Sequence, residues 1–455
     1  MPKAAFHNLG CKVNEYETEA MEQQLLAKGY EIVPFEEQAD VYIINTCSVT
    51  NIADRKSRQM LHRAKKRNPN AVVVAAGCYV QVAADTLKAD GAVDVIVGNN
   101  QKGRLGEILD GFFKDGTANV AYVEDISCTD EYETLRVEKP GERTRAFIKI
   151  QDGCNQFCSY CIIPYARGRV RSRTAQDVLE EITSLANAGY KEVVLTGIHL
   201  SSYGLDFADP QGARQIGDYA ERPGSLYRPW LLDLIEKISA IDGIERIRLG
   251  SLEPRIITPE FARVLAQNPK ICPHFHLSLQ SGCDSVLKRM NRHYDTAQYL
   301  EGLRILREAF DRPAITTDVI VGFPGETEEE FEETCHFVQE ADFYEMHVFK
   351  YSRRAGTRAA RMEDQVPEQV KGERSDRLLA IEQEMSRRYR ESFLGSKQEI
   401  LLEEFQEVDG KRMAVGHTRQ YVKVAVDADG ILDLARGQMR VAAITALDGE
   451  ILLAR

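Results

Sequence analysis

Three cysteines stand in one short stretch, Gln151-Asp152-Gly153-Cys154-Asn155-Gln156-Phe157-Cys158-Ser159-Tyr160-Cys161. The stretch follows an apolar run that reads as a strand, so the three thiols share a turn-rich loop and can face one metal centre. Thiolates favour zinc or iron–sulfur clusters. A structural zinc normally takes four protein ligands, and no nearby His or Cys completes this set. Three thiolates on a four-iron cube leave one iron open to another ligand.

Three further cysteines occupy matched positions: Cys11 follows a strand ending at Leu9, Cys47 follows Val41 to Asn45, and Cys78 follows Val72 to Ala76. In a parallel sheet the carboxyl ends of the strands share one edge, where residues distant in sequence converge in a ligand crevice. Three thiolates there make a second cluster site, again with one iron unclaimed. Isolated cysteines ordinarily act as small apolar core residues, and the matched placement sets these three apart. Cys128, Cys272, Cys283 and Cys335 have no such spacing and read as packing or surface thiols.

The elements that position these groups follow from hydrophobic periodicity. Ala4 to Leu9, Val41 to Asn45, Val72 to Ala76 and Val93 to Val97 are expected strands separated by helix-like stretches, a parallel α/β pattern over residues 1–115. A polar linker is expected over 116–139. Residues 140–370 repeat the βα unit six times, with strands at Ala146 to Gln151, Glu192 to Thr196, Arg246 to Gly250, Phe275 to Gln280, Ile315 to Val321 and Glu345 to Tyr351. Six units suggest an incomplete (β/α)6 barrel with its chemistry at the carboxyl ends of the strands. Residues 202–229 interrupt the series as a loop or lid, and 371–390 form a connecting amphipathic helix. Over 391–455, Glu399 to Leu402, Met413 to Gly416, Tyr421 to Val426 and Met439 to Ala446 are short strands suited to a small β-barrel.

Composition narrows the class. The net charge of -12 argues against a protein that coats nucleic acid non-specifically, so any RNA contact must be local. No apolar run approaches the ~18 residues needed to cross a bilayer, and the amino terminus has no signal core. A cytoplasmic location is expected. Ten cysteines in a reducing compartment point to metal or redox chemistry rather than to a disulfide framework.

The Cys154, Cys158, Cys161 spacing, with Tyr160 before the last cysteine, resembles the signature of the radical S-adenosylmethionine superfamily. The resemblance continues through Leu195-Thr196-Gly197, Gly250-Ser251-Leu252-Glu253, Leu279-Gln280-Ser281-Gly282 and the segment from Asp318 to Thr327. It implies that Thr196, Gly197, Ser251, Glu253, Gln280, Ile320 and Gly322 bind S-adenosylmethionine. Glycine admits a ligand close to the backbone, and Glu253 and Gln280 offer polar groups to an amine or ribose. Together with the contexts of Cys11, Cys47 and Cys78, nearly the whole chain resembles the methylthiotransferase family. Its members join an amino-terminal cluster domain, a radical barrel and a small RNA-binding β-barrel called TRAM. The run Gly10-Cys11-Lys12-Val13-Asn14 is similar to the branch acting on N6-threonylcarbamoyladenosine in tRNA. Members acting on isopentenyl-adenosine typically carry Gln-Met after that cysteine, and those acting on a ribosomal protein carry Pro-Lys.

The resemblance implies two [4Fe–4S] clusters, a radical one on Cys154, Cys158 and Cys161 and an auxiliary one on Cys11, Cys47 and Cys78 carrying sulfide or polysulfide. It also implies a tRNA substrate, an electron donor such as a flavodoxin or ferredoxin system, and no side-chain acid or base. The activity would be C2 methylthiolation of the modified adenosine beside the anticodon by radical C–H activation. Rival readings are another tRNA adenosine, a ribosomal protein side chain, or a non-catalytic iron–sulfur RNA-binding sensor. For RNA contact, Arg58 and Lys65 on a basic helix and Arg167, Arg169, Arg171 and Arg173 after the cysteine loop are placed to meet phosphates. A charged helix face is as often merely solvated.

Overall fold

The computed structural model describes residues 1–116, 120–137, 141, 144–208, 228–408, 410–428 and 434–455. Its first segment is a parallel sheet of β1 (Lys3–Asn8), β2 (Glu31–Val33), β3 (Val41–Thr46), β4 (Val72–Gly77), β5 (Val95–Val97) and β6 (Val120–Tyr122), in the order β2-β1-β3-β4-β5-β6. Helices α1 (Lys12–Ala27), α2 (Asn51–Arg67), α3 (Cys78–Lys88) and α4 (Leu105–Asp115) pack against it. The central strands β3 and β4 are buried at every position because both faces are covered. Tyr42 and Ile44 pack with Leu61 and Tyr79 on one face, while Val41 and Ile43 pack with Met21 and Leu109 on the other. The edge strands β2 and β6, three residues each, were too short to stand out in the sequence.

A second series contains β7 (Arg145–Asp152), β8 (Arg171–Ser172), β9 (Glu192–Gly197), β10 (Arg246–Leu249), β11 (His274–His276), β12 (Ala314–Val321) and β13 (Glu345–Lys350). Parallel pairing runs β7-β9-β10 and β11-β12-β13, and the bridges Ile247 to Ile271 and Leu252 to Leu277 join the two sheets. This is the partial barrel of six parallel strands, with β8 added antiparallel to β7. Its helices are α5 (Ile163–Arg167), α6 (Ala175–Asn187), α7 (Leu205–Ala208), α8 (Arg228–Ser239), α9 (Pro259–Gln267), α10 (Asp284–Arg289), α11 (Thr296–Ala309), α12 (Glu328–Ala341) and the long α13 (Glu368–Glu391). Reciprocal capping boxes at Asp295/Gln298 and Thr327/Glu330 fix where α11 and α12 begin. The fourth expected strand is shorter than its apolar run suggested. Gln280 takes a positive φ of 72°, yet keeps its N–H on the Asp318 carbonyl and its carbonyl on the Ile320 N–H. Most of the interruption expected at 202–229 lies outside the described residues.

Strands β14 (Lys397–Val408), β15 (Lys411–Thr418), β16 (Lys423–Asp427), β17 (Met439–Asp448) and β18 (Ile451–Ala454) close into a small barrel. It docks on the amino ends of the larger barrel's strands. The buried Arg246 guanidinium donates to the Glu399 carbonyl at 2.8 Å and the His417 carbonyl at 3.1 Å, and Arg145 pairs with Glu403 at 3.1 Å. Among the described residues no helix is long and apolar enough to cross a membrane.

Candidate active site

Strand β7 delivers the first cysteine loop. Gly153 turns the chain at φ 71° with its α-carbon against the Arg169 carbonyl, leaving no room for a Cβ. The Cys154 N–H donates to the Gly168 carbonyl at 3.0 Å, and the Cys161 N–H to the Cys158 carbonyl at 2.9 Å. Residues 289–292 clamp the loop from the other side. Ser159 N–H and Oγ–H donate to the carbonyls of Met290 and Arg289 at 2.9 and 2.8 Å, and Asn291 Nδ2 reaches the Phe157 carbonyl at 3.2 Å. Arg292 Nη1 donates directly to Cys158 Sγ at 3.2 Å.

A cavity of about 140 Å³ opens beside this loop, lined by Cys154, Cys158 and Cys161 together with Ser251, Glu253, Gln280, His199 and Arg292. Three of the expected cofactor-binding residues thus meet the three thiols. Thr196, Gly197, Ile320 and Gly322 do not line this cavity. Gly197 packs on Gln151, Ile320 on an apolar group with Met290 and Phe323, and Gly322 on the Lys371 stem. His199 and Arg292 were missed in the sequence. His199 Nδ1 bonds Ser202 Oγ at 2.6 Å while Nε2 is buried without a partner, and burial lowers its pKa to about 4. Burial opposes charge on Glu253, but Arg255 at 2.6 Å holds it below the usual carboxylate range. The cavity therefore offers one carboxylate, one neutral imidazole with a spare nitrogen, and one guanidinium.

The second set lies at the carboxyl edge of the first sheet. Cys11 precedes α1, Cys47 follows β3, and Cys78 opens α3. Gly10, at φ 111°, lets Cys47 approach: a Cβ there would sit 3.0 Å from its sulfur. Strands β1, β3 and β4 are neighbours in the sheet, so the three cysteines that follow them share one edge. Burial pushes the Cys47 and Cys161 thiols up to about 12. Such thiols become thiolates only when iron supplies positive charge. Among the described residues no three His, Cys, Asp or Glu close around a single ion. Two all-thiol triads suit iron–sulfur cubes.

Arg167 joins the two sets. It is fully buried; Nε donates to Cys78 Sγ at 3.2 Å, Nη1 to Glu17 at 2.8 Å and Asp152 at 3.1 Å, and Nη2 to Asn14 at 2.6 Å. Lys149 bridges the same two carboxylates at 2.7 and 2.6 Å, and Lys102 also pairs with Glu17. Asp152 is two residues from Cys154, so one guanidinium spans the loops of both cysteine sets. Arg167, Lys149, Lys102 and, at 3.9 Å from Asp152, Arg171 are buried cations facing two buried carboxylates, which leaves positive charge beside Cys78. This is acceptable in a low-dielectric interior when an anionic thiolate cluster balances it.

Comparison with known proteins agrees with this geometry. Residues 148–338 match the Radical SAM superfamily, and residues 3–98 match the uncharacterized protein family UPF0004. The threonylcarbamoyladenosine tRNA methylthiotransferase MtaB of Bacillus subtilis is 44% identical over 93% of this chain and 90% of its own length. The chain belongs to the radical S-adenosylmethionine methylthiotransferase family. A tRNA-2-methylthio-N(6)-dimethylallyladenosine synthase of Clostridium botulinum is 35% identical over 97% of this chain and 95% of its own. The radical S-adenosylmethionine methyltransferase TsrM from Kitasatospora setae shares the fold, with a TM-score of 0.55 at 16% identity over 77% of this chain and 73% of its own. Membership in the methylthiotransferase family brings S-adenosylmethionine, two [4Fe–4S] clusters and a tRNA substrate.

The arginines expected to meet RNA divide sharply. Arg171 is buried with Nη1 on the carbonyls of Arg167 and Arg169, where no phosphate reaches it. Arg173 is likewise buried, against Glu181 and Asp177. Arg169 stacks over Phe157 at 4.5 Å. Arg58 donates to the Tyr79 hydroxyl at 2.7 Å, and Lys65 pairs with Asp94 at 2.8 Å.

Proposed function

We propose that this methylthiotransferase replaces the C2 hydrogen of N6-threonylcarbamoyladenosine, next to the anticodon, with a methylthio group. The observation that carries the reading is the joining of two three-cysteine sets through Arg167, one set bordering a polar cavity. Relatives named for this nucleoside support the substrate, reaching 44% identity against 35% for the first named for dimethylallyladenosine.

Cys154, Cys158 and Cys161 would hold the radical cluster, and Cys11, Cys47 and Cys78 the auxiliary one. When bound, these groups and S-adenosylmethionine supply the radical oxidant for an unactivated ring C–H bond, the sulfur and the methyl group. The chain's own residues position and shield. Glu253 suits the amine of S-adenosylmethionine, and Arg292 both steadies Cys158 and presents positive charge to a carboxylate. His199, neutral and with Nε2 free, orients a polar group without moving a proton. The clamp at 289–292 holds the loop while the cofactor binds. Arg58, Lys65 and Arg169 remain our candidates for phosphate contact. A flavodoxin- or ferredoxin-type donor would supply electrons, and the cytoplasm is the proposed location.

The test is mass spectrometry of nucleosides from tRNA carrying N6-threonylcarbamoyladenosine, incubated anaerobically with reconstituted holoprotein, reductant, sulfide and S-adenosylmethionine. The expected product is its 2-methylthio derivative. Conversion of dimethylallyladenosine tRNA alone would overturn the substrate, and 5′-deoxyadenosine without either product would overturn the reaction.

A further inference from the structure

Lys12, next to Cys11 in the chain, faces Arg248 and His274, and each of the three keeps a polar group without a partner. Lys12 is exposed, and among the described residues its ammonium takes no hydrogen bond or ion pair, although Arg248, Arg145, Asp318 and Cys11 lie within its field. Arg248, on β10, is 2% exposed; Nε donates to Glu192 at 2.8 Å and Nη1 to the Arg419 carbonyl at 2.9 Å, while Nη2 is buried with no partner. His274, at the start of β11, is 7% exposed, its Nδ1 is also buried and unpartnered, and it stands in the field of both Arg248 and Lys12. Asp318 brings one carboxylate into the field of Lys12, with its Oδ2 turned to His276 Nε2 at 3.2 Å, and makes no direct contact with Lys12, Arg248 or His274 among the described residues. Below, the Tyr421 ring closes the floor, 4.8 Å from the Arg248 guanidinium and 5.3 Å from the His274 ring.

Buried polar groups left unpaired are costly. Two of them beside an unpaired ammonium form a site for an anion with several acceptor lone pairs, and a carboxylate is such a group. The threonylcarbamoyl substituent ends in a carboxylate, whereas a dimethylallyl substituent offers no acceptor. C2 and N6 share one edge of adenine. A base bringing C2 to a cluster on Cys11 therefore carries its N6 substituent toward the residues adjoining Cys11, of which Lys12 is the first.

We propose that Lys12, Arg248 and His274 form the receptor for the threonyl carboxylate and so select the modified base; this rests on N6-threonylcarbamoyladenosine being the substrate. Lys12 supplies the mobile charge at the mouth, and Arg248 and His274 supply fixed donors at the floor. An apolar N6 substituent leaves all three unsatisfied, which is how the site rejects it.

The test uses reconstituted holoprotein and two synthetic anticodon stem-loops, one with the free threonyl acid and one with its methyl ester. Both kcat/KM and Kd, the latter by fluorescence anisotropy, are measured for each. The wild type should prefer the acid at least tenfold, about 1.4 kcal/mol. Lys12→Gln should bring that preference close to one, and Lys12→Arg should retain most of it. Lys12→Arg keeps the charge and so controls for any change in packing around position 12. Equal use of acid and ester by the wild type, or an unchanged preference in Lys12→Gln, overturns the receptor while leaving the substrate standing. Modification of neither loop overturns the substrate and the receptor together.

Discussion

Replacing Arg167 with Met keeps the length of the side chain and removes the charge shared by Glu17, Asp152 and Cys78. The wild-type guanidinium is fully buried and donates to both carboxylates, to Asn14 and to the thiol. Lys149 and Lys102 stay behind, so the carboxylates are weakened in their pairing rather than stripped of it. Because both carboxylates stay paired, what is lost is hydrogen bonding to charged groups, ~1.5–3 kcal/mol. In a cooperative unit of ~150–250 residues each kcal/mol moves the melting temperature by ~2–4 °C, so Arg167→Met should melt ~3–12 °C below the wild type. The assay is anaerobic thermal denaturation of metal-free protein followed by circular dichroism. A second readout separates pairing from simple packing. In protein whose Cys154, Cys158 and Cys161 are all Ala, the remaining cluster should show a lower midpoint potential once Arg167 is Met, because an N–H···S bond and a nearby cation favour the more negative, reduced cluster. A melting temperature within ~2 °C of wild type and an unchanged potential would together refute the role assigned to Arg167.

Cys158→Ala should abolish 5′-deoxyadenosine formation, measured by liquid chromatography under reducing conditions, while roughly half of the bound iron stays on the auxiliary site. Gly153→Ala should impair radical-cluster loading while leaving the auxiliary cluster's spectroscopic signature, because a Cβ at φ 71° meets the Arg169 carbonyl; full loading of both sites would contradict this. Stability should fall in acid. Burial works against charge on Glu17 and Asp152, yet Arg167 and the lysines hold both below the usual carboxylate range. Their contribution is complete above the ordinary value of ~4 and is lost below it. His199, depressed to about 4 by burial, adds a shallower loss that begins near the ordinary histidine value of ~6.5. Melting temperatures from pH 7 down to pH ~3 check this, and Arg167→Met should flatten the acid limb.

The parts of this site that were legible in the sequence are those fixed by local spacing. Cys154, Cys158 and Cys161 lie in one loop, and Cys11, Cys47 and Cys78 could be aligned because each follows a hydrophobic strand run. Ser251, Glu253 and Gln280 were legible as residues just beyond strand ends. Partners that arrive from far along the chain were not. Arg292 reaches Cys158 only because residues 289–292 fold over the cysteine loop, a contact across 134 positions. The alternating arginines after that loop suggested a phosphate-facing strip. In the folded chain Glu17, at a separation of 150 residues from Arg167, turns one of them inward. Arg173 carried a local warning, since Asp177 and Glu181 follow it at helical spacing and are the carboxylates that bury it. Strand β18 and the two edge strands of the first sheet escaped because three or four residues carry too little periodicity to separate from loop.

The most direct test of the central claim is to place deuterium at C2 of N6-threonylcarbamoyladenosine in a tRNA anticodon stem-loop and follow the label through one anaerobic turnover. The 5′-deoxyadenosine should carry the deuterium and form in step with a stem-loop that has gained a methylthio group at C2. Methylthiolated product accompanied by unlabelled 5′-deoxyadenosine would contradict it.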